Sequence, residues 1–269
     1  MVGQACSEET RRAVRWTSMF NNDISTRLAC STMLFRAQSL DEALEGIRAA
    51  GIEHVDLWAA PDVLSHVDPV SDGSAQLRST LASHGLRASS VTAHSTSGEA
   101  MLQRISFASV LGARTVISAA PMRDCDRREA ADDVRAYGRA AQDAGVTFCL
   151  AHQAGTWMDT AEDVASFLDD IGHPRVHLSI DPWQAAREGI AFEALADAAG
   201  TRVGHIYVAE ATNEGDEQAL GAMFELLEER NYYGMFTFSW QGTEGLTREA
   251  VSTSVREARE QALRVSKAD

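Results

Sequence analysis

The chain has 269 residues, 24 basic against 39 acidic, and a net charge of −15. That length suits one large α/β domain, and 45% hydrophobic residues supply a sizeable core. An acidic surface repels both nucleic acid and anionic membranes, so neither is expected as a partner.

The expected organisation is an N-terminal extension over 1–25 followed by a single domain over 26–269. The lead-in MVGQACSEETRRAVRW is polar, lacks the apolar middle of a signal peptide, and leaves room for one short helix. Short β-type runs then alternate with helix-type runs. The predicted strands are 27–32, 54–58, 86–94, 114–119, 146–152, 175–181, 203–210 and 234–240. Among the intervening segments, LDEALEGIRAAG puts Leu40, Ala43, Leu44, Ile47 and Ala50 on one stripe and stops at Gly51. Segments 128–145 and 160–172 repeat the pattern and also stop at glycine, and Thr160 with Asp163 has the spacing of a helix N-terminal cap. No run approaches 18 apolar residues, so no transmembrane helix is expected. Four cysteines, Cys6, Cys30, Cys125 and Cys149, show no paired spacing, which fits a reduced, cytoplasmic setting.

Eight strands alternating with helices imply a parallel sheet with the helices outside, and at this length a closed (β/α)8 TIM barrel. No Gly-x-Gly-x-x-Gly follows a strand, which removes the main support for a dinucleotide-binding sheet. In such barrels chemistry is built at the C-terminal ends of the strands. Alternation then selects what points inward. In the sixth strand Val176, Leu178 and Ile180 share the apolar face, so His177, Ser179 and Asp181 face the lumen. The seventh strand gives His205, Tyr207 and Ala209 inward, and the eighth gives Thr237 and Ser239.

GIEHVDLW in the second strand, GHPRVHLSIDPWQ in the sixth, RVGHIYVAEA in the seventh and NYYGMFTFSW in the eighth resemble, in order and spacing, the xylose isomerase-like barrel superfamily of ketose 3-epimerases and inosose dehydratases. The resemblance covers about residues 27–265. It implies a divalent metal held by Glu, Asp, His and Glu at the ends of strands five to eight, polarising a hydroxyketone while flanking carboxylates shuttle a proton. Carried onto this chain, those ligands fall on Ala151, Asp181, Tyr207 and Ser239, so one of the four is retained. The His that usually follows the Asp by three positions is Gln184, and a second catalytic carboxylate falls near Trp157. One carboxylate with Ala, Tyr and Ser does not offset the dehydration of a divalent cation. The expectation is therefore that no metal and no other cofactor is used.

The candidate catalytic residues are Asp181, His152, Tyr207 and Glu210. A helix cap or structural salt bridge is the plain alternative for Asp181, since Pro182 follows it, but its place at the strand end favours an acid or base. His152 ends the fifth strand, where a neutral imidazole can donate and accept. Tyr207 occupies a lost ligand's place, and Glu210 ends the seventh strand. Candidate substrate contacts are His94, Asp56, Trp58, Trp157, Trp183, Gln184, His205, Ser239 and Trp240. Of these, His205 lies deeper, where core hydrogen bonding is as natural as function. Trp58, Trp157, Trp183 and Trp240 all sit at or just beyond strand ends and would give the mouth a stacking character, favouring a ring-bearing small molecule over a simple ketose. The leading expectation is metal-independent acid–base chemistry (isomerisation, dehydration or ring formation) on a small cyclic or carbohydrate-like substrate, compatible with specialised biosynthesis. Two alternatives stand beside it. One is a metal-dependent epimerase or dehydratase with a site rebuilt from His152, Asp181 and His205. The other is a ligand-binding barrel without catalysis. A homo-oligomer is compatible with the sequence.

Overall fold

The computed structural model describes residues 23–60, 63–94 and 97–267. The lead-in helix expected within residues 1–25 lies almost wholly outside them. Among the described residues nine strands form in chain order: β1 Leu28–Ser31, β2 His54–Ala60, β3 Leu64–Ser65, β4 Arg87–Thr92, β5 Thr115–Ala119, β6 Thr147–Ala151, β7 Val176–Ile180, β8 Val203–Val208 and β9 Phe236–Phe238. Eight are parallel, and β1 pairs with both β9 and β2, which closes the sheet into a (β/α)8 barrel. The ninth, β3, is a two-residue antiparallel return beside β2 that the sequence did not announce.

Helices cover the outside, and local chemistry sets their ends. Ser39 and Glu42 form a capping box before Leu40–Ala49, and Thr160 and Asp163 form another before Ala161–Ile171. The helix Arg127–Ala144 stops at Gly145, whose φ of 72° lies in the left-handed region that glycine enters without a Cβ clash. Among the described residues no helix is long and apolar enough to cross a membrane.

The apolar core lies between sheet and helices, not inside the barrel. Val176, Leu178 and Ile180 of β7, Ile206 and Val208 of β8, and Phe236 and Phe238 of β9 all join it. The lumen holds a small separate apolar cluster of Ile117, Cys149 and Tyr207. Around that cluster the lumen is polar, with Ser31, Asp56, Ser90, Thr92, Ser179, His205 and Thr237 all buried. Such a lining is tolerable only where each group finds a partner, because an unpaired buried donor or acceptor costs about 1–3 kcal/mol.

Several strands end earlier than expected. β4 stops at Thr92, β6 at Ala151, β8 at Val208 and β9 at Phe238. His94, His152, Glu210, Ser239 and Trp240 therefore stand on the loops just past the ladder, where backbone pairing no longer dictates side-chain direction.

Candidate functional site

The lumen network is built from strand register. Ser31 of β1 and Ser90 of β4 are the cross-strand partners of Asp56 on β2. Both hydroxyls donate to its carboxylate, Ser31 Oγ at 2.9 Å and Ser90 Oγ at 2.8 Å, and Thr92 Oγ1 donates at 2.8 Å. Burial pushes the Asp56 carboxyl up, and these three hydroxyls pull it back. Thr92 Oγ1 also lies 3.0 Å from the Tyr207 phenol. The one Thr92 proton goes to Asp56, so Tyr207 donates to Thr92 and turns its lone pairs elsewhere. Beside this chain, His205 places Nδ1 3.0 Å from Ser179 Oγ and Nε2 2.8 Å from Thr237 Oγ1. Burial pushes its imidazole down to about 3, so it is neutral.

Above this floor a cavity of about 250 Å³ opens at the C-terminal ends of the strands. Tyr207, Asp181, His152 and His94 line it, as do Trp58, Trp183 and Trp240. Gln184 and Ser239 complete the predicted residues found there. Asp181 caps the short helix Pro182–Arg187. Its Oδ1 accepts from the backbone N–H of Trp183 at 3.0 Å and of Gln184 at 3.1 Å. The cap and the mouth position thus coexist in one side chain, with Oδ2 outside the cap bonds. Burial raises the Asp181 carboxyl, while the two N–H groups, His152 and Arg187 lower it. His152 is 2% exposed. Burial lowers its imidazole, opposed by the charges of Glu188 and Asp181. Burial also brings His94 down to about 4, and its ring lies 5.4 Å from that of Trp58. Trp183 is 47% exposed and stacks under the Arg187 guanidinium, 4.0 Å from ring centre to Cζ.

Four expected site residues stand elsewhere. Glu210 follows Ala209, which lines the cavity, but is not itself among the lining residues. Burial and the like charge of Glu257 on the last helix push its carboxyl up. Trp157 lies six residues past β6 with the guanidinium groups of Arg123 and Arg127 over its ring at 5.3 and 5.2 Å, so three tryptophans and not four surround the mouth. Asp56 and His205 lie a layer beneath the cavity, two residues deeper on their strands than Trp58 and Tyr207.

Other contributors had not been singled out. Arg187 and Met33 line the cavity. Glu188, the C-terminal cap of the helix Pro182–Arg187, stands 3.6 Å from His152 Nε2 through its Oε2. Its spacing carried a signal, since Asp181, Gln184 and Glu188 repeat at three and four and so share one helix face.

The positions that the resemblance assigns to metal ligands carry Ala151, Asp181, Tyr207 and Ser239, and all four line the cavity together. Only one of them offers an anionic or imidazole donor. His205, needed for a rebuilt His152–Asp181–His205 site, has both nitrogens committed to Ser179 and Thr237. Among the described residues no three His, Cys, Asp or Glu side chains converge as a metal would require. These residues do not fit the family's divalent metal.

No curated protein matches the chain. Solved structures do. D-Psicose 3-epimerase from Clostridium cellulolyticum H10 superposes with a TM-score of 0.72 at 12% identity, covering 90% of this chain and 100% of that one. The 3-keto-D-glucoside 4-epimerase of E. coli gives 0.70 at 13%, covering 87% and 99%. A xylose isomerase-like TIM barrel protein from Mycobacterium smegmatis, solved with magnesium, gives 0.69 at 15%, covering 89% and 97%. At such identities the likeness concerns the fold. The family model described as xylose isomerase-like TIM barrel matches residues 44–261, most of the chain and all but one of the barrel strands. With the closed barrel and the strand-end cavity in agreement, the chain belongs to the xylose isomerase-like TIM barrel family.

Proposed function

We propose that this chain is an isomerase- or epimerase-class enzyme that moves a proton with its own side chains, without a metal, on a compact cyclic or carbohydrate-like molecule. The observation that carries this reading is the meeting of Asp181, His152 and Tyr207 in one cavity walled by Trp58, Trp183 and Trp240. At about 250 Å³ the space falls below the roughly 300–1,000 Å³ of pockets for drug-sized ligands and suits a single ring. The epimerases among the similar structures act on sugars by their printed names, which supports a carbohydrate-like substrate here.

Of the two proton carriers, Asp181 and His152, one takes a proton from the substrate and the other returns one, to the opposite face of the same carbon for an epimerisation or to a neighbouring atom for an isomerisation, and exchange with solvent resets both carriers. Tyr207, whose proton is held by Thr92, accepts from a substrate hydroxyl and fixes its position. The indole walls exclude water and strengthen these contacts. Dehydration and ring formation draw on the same proton transfers.

The test is solvent exchange. Candidate ketoses, keto-sugars and cyclic polyols are incubated with the protein in D2O, with and without chelator, and C–H exchange is followed by NMR. Exchange that survives chelator and disappears in Asp181→Asn supports the proposal. Exchange that requires added metal overturns it in favour of a rebuilt metal enzyme. Saturable binding with no exchange of any bound candidate overturns it in favour of a binding barrel.

A further inference from the structure

His152 and Glu188 form the one acid–imidazole contact of the described residues in which both facing atoms are buried without a hydrogen bond. His152 Nε2 and Glu188 Oε2 face each other at 3.6 Å, beyond the roughly 2.7–3.2 Å of an N–H···O bond. The second ring nitrogen, Nδ1, is likewise buried and without a partner. An orphaned buried polar atom is costly, so three in one place mark an arrangement completed by something else. The Glu188 carboxylate is already aimed, because its Oε1 accepts from Gln184 Nε2 at 3.0 Å and from the backbone N–H of Ala154 at 3.4 Å. The remaining gap is a few tenths of an ångström, the looseness expected of such contacts before a ligand tightens them.

We propose that Glu188 is a positioning residue: it holds His152 in the Nε2–H tautomer, so that the Nδ1 lone pair is the proton acceptor offered to the cavity. A base oriented by a carboxylate through its other nitrogen is a general device of proton transfer. The ionisable groups acting on His152 are Glu188 and Asp181, from the two ends of one helix. Both favour its protonated form. Glu188 does so while accepting the Nε2 proton, and Asp181 from the mouth. The inference rests on reading the cavity as an acid–base site, but its test reads the imidazole itself, so it succeeds or fails independently of any turnover.

The experiment is histidine-ring NMR on the full chain labelled with 15N, with the His152 signals assigned by their loss in His152→Gln. The expected result above pH 7 is a His152 ring protonated at Nε2. In Glu188→Gln, the titration midpoint of His152 is expected to fall, since a negative partner has been removed while the amide keeps the packing. Asp181→Asn should also lower the midpoint but leave the tautomer at Nε2–H. An Nδ1–H tautomer in the wild type overturns the proposal without any variant being needed. So does an unchanged midpoint in a folded Glu188→Gln protein.

Discussion

The phenol of Tyr207 lies 3.0 Å from the hydroxyl of Thr92, and Thr92 passes that contact on to the Asp56 carboxylate. A residue on the cavity floor is thus tied to a buried charge through one hydroxyl. Thr92→Val removes a donor from Asp56 and the acceptor from Tyr207 while keeping shape. It is expected to cost about 1–3 kcal/mol for each group left unpaired. Tyr207→Phe should cost less, because Thr92 then loses only a donor. Urea denaturation of both variants checks the order, and equal midpoints would show that the chain carries no energy.

Asp181→Asn isolates charge from shape. Asparagine is as good an N-cap as aspartate, so the helix Pro182–Arg187 should persist. It cannot take up a proton at neutral pH. Turnover, once a substrate is found, should fall by about 10²–10⁴, the usual share of a positioned proton carrier. Circular dichroism confirms the fold, and near-normal turnover would remove Asp181 from the chemistry.

Acid should weaken the fold through its buried imidazoles. Burial holds His205 at about 3, below the 6.5 or so of the unfolded chain. Its contribution is therefore complete above about pH 6.5 and is lost progressively as the pH falls from there toward its folded value. At pH 5 the loss amounts to about 2 kcal/mol. Asp56, whose carboxyl is raised by burial, works in the opposite sense and gains from acid. His205→Gln keeps polar contact with Ser179 and Thr237 but cannot become charged. Its Tm should drop less than that of the wild type between pH 7 and pH 5, and parallel losses would contradict the assignment.

Purified protein should carry less than about a tenth of a divalent metal per chain, and chelator should leave Tm unchanged, because a bound metal would stabilise the native state by linkage. Elemental analysis and thermal melts check this. A stoichiometric metal whose removal lowers Tm would mean that the chain holds it with residues other than those at 151, 207 and 239.

The barrel and the inward faces were legible because period-two alternation is strong in VHLSID, GHIYVA and FTFS, where apolar residues commit to the helix layer. That alone placed Asp181, Tyr207 and Ser239 at the mouth. Residues past the ladder were less legible. Glu210 lies beyond the last paired residue of β8, where no ladder fixes its direction. Trp157 is captured by Arg123 and Arg127, cations that come close only in three dimensions. Glu188 is not legible from the strands, because its meaning is helical, two turns from Asp181. Ser31, Ser90 and Thr92 are, taken singly, commonplace strand hydroxyls, although Ser90, Thr92 and His94 alternate in RASSVTAH.

The helix Pro182–Arg187 spans about 9 Å at the ordinary rise per residue. It has Asp181 at one end and Glu188 at the other, both acting on a single imidazole. Both carboxylates thus reach one imidazole from a single short segment, so the charge that sets its proton affinity is supplied by one element of the fold.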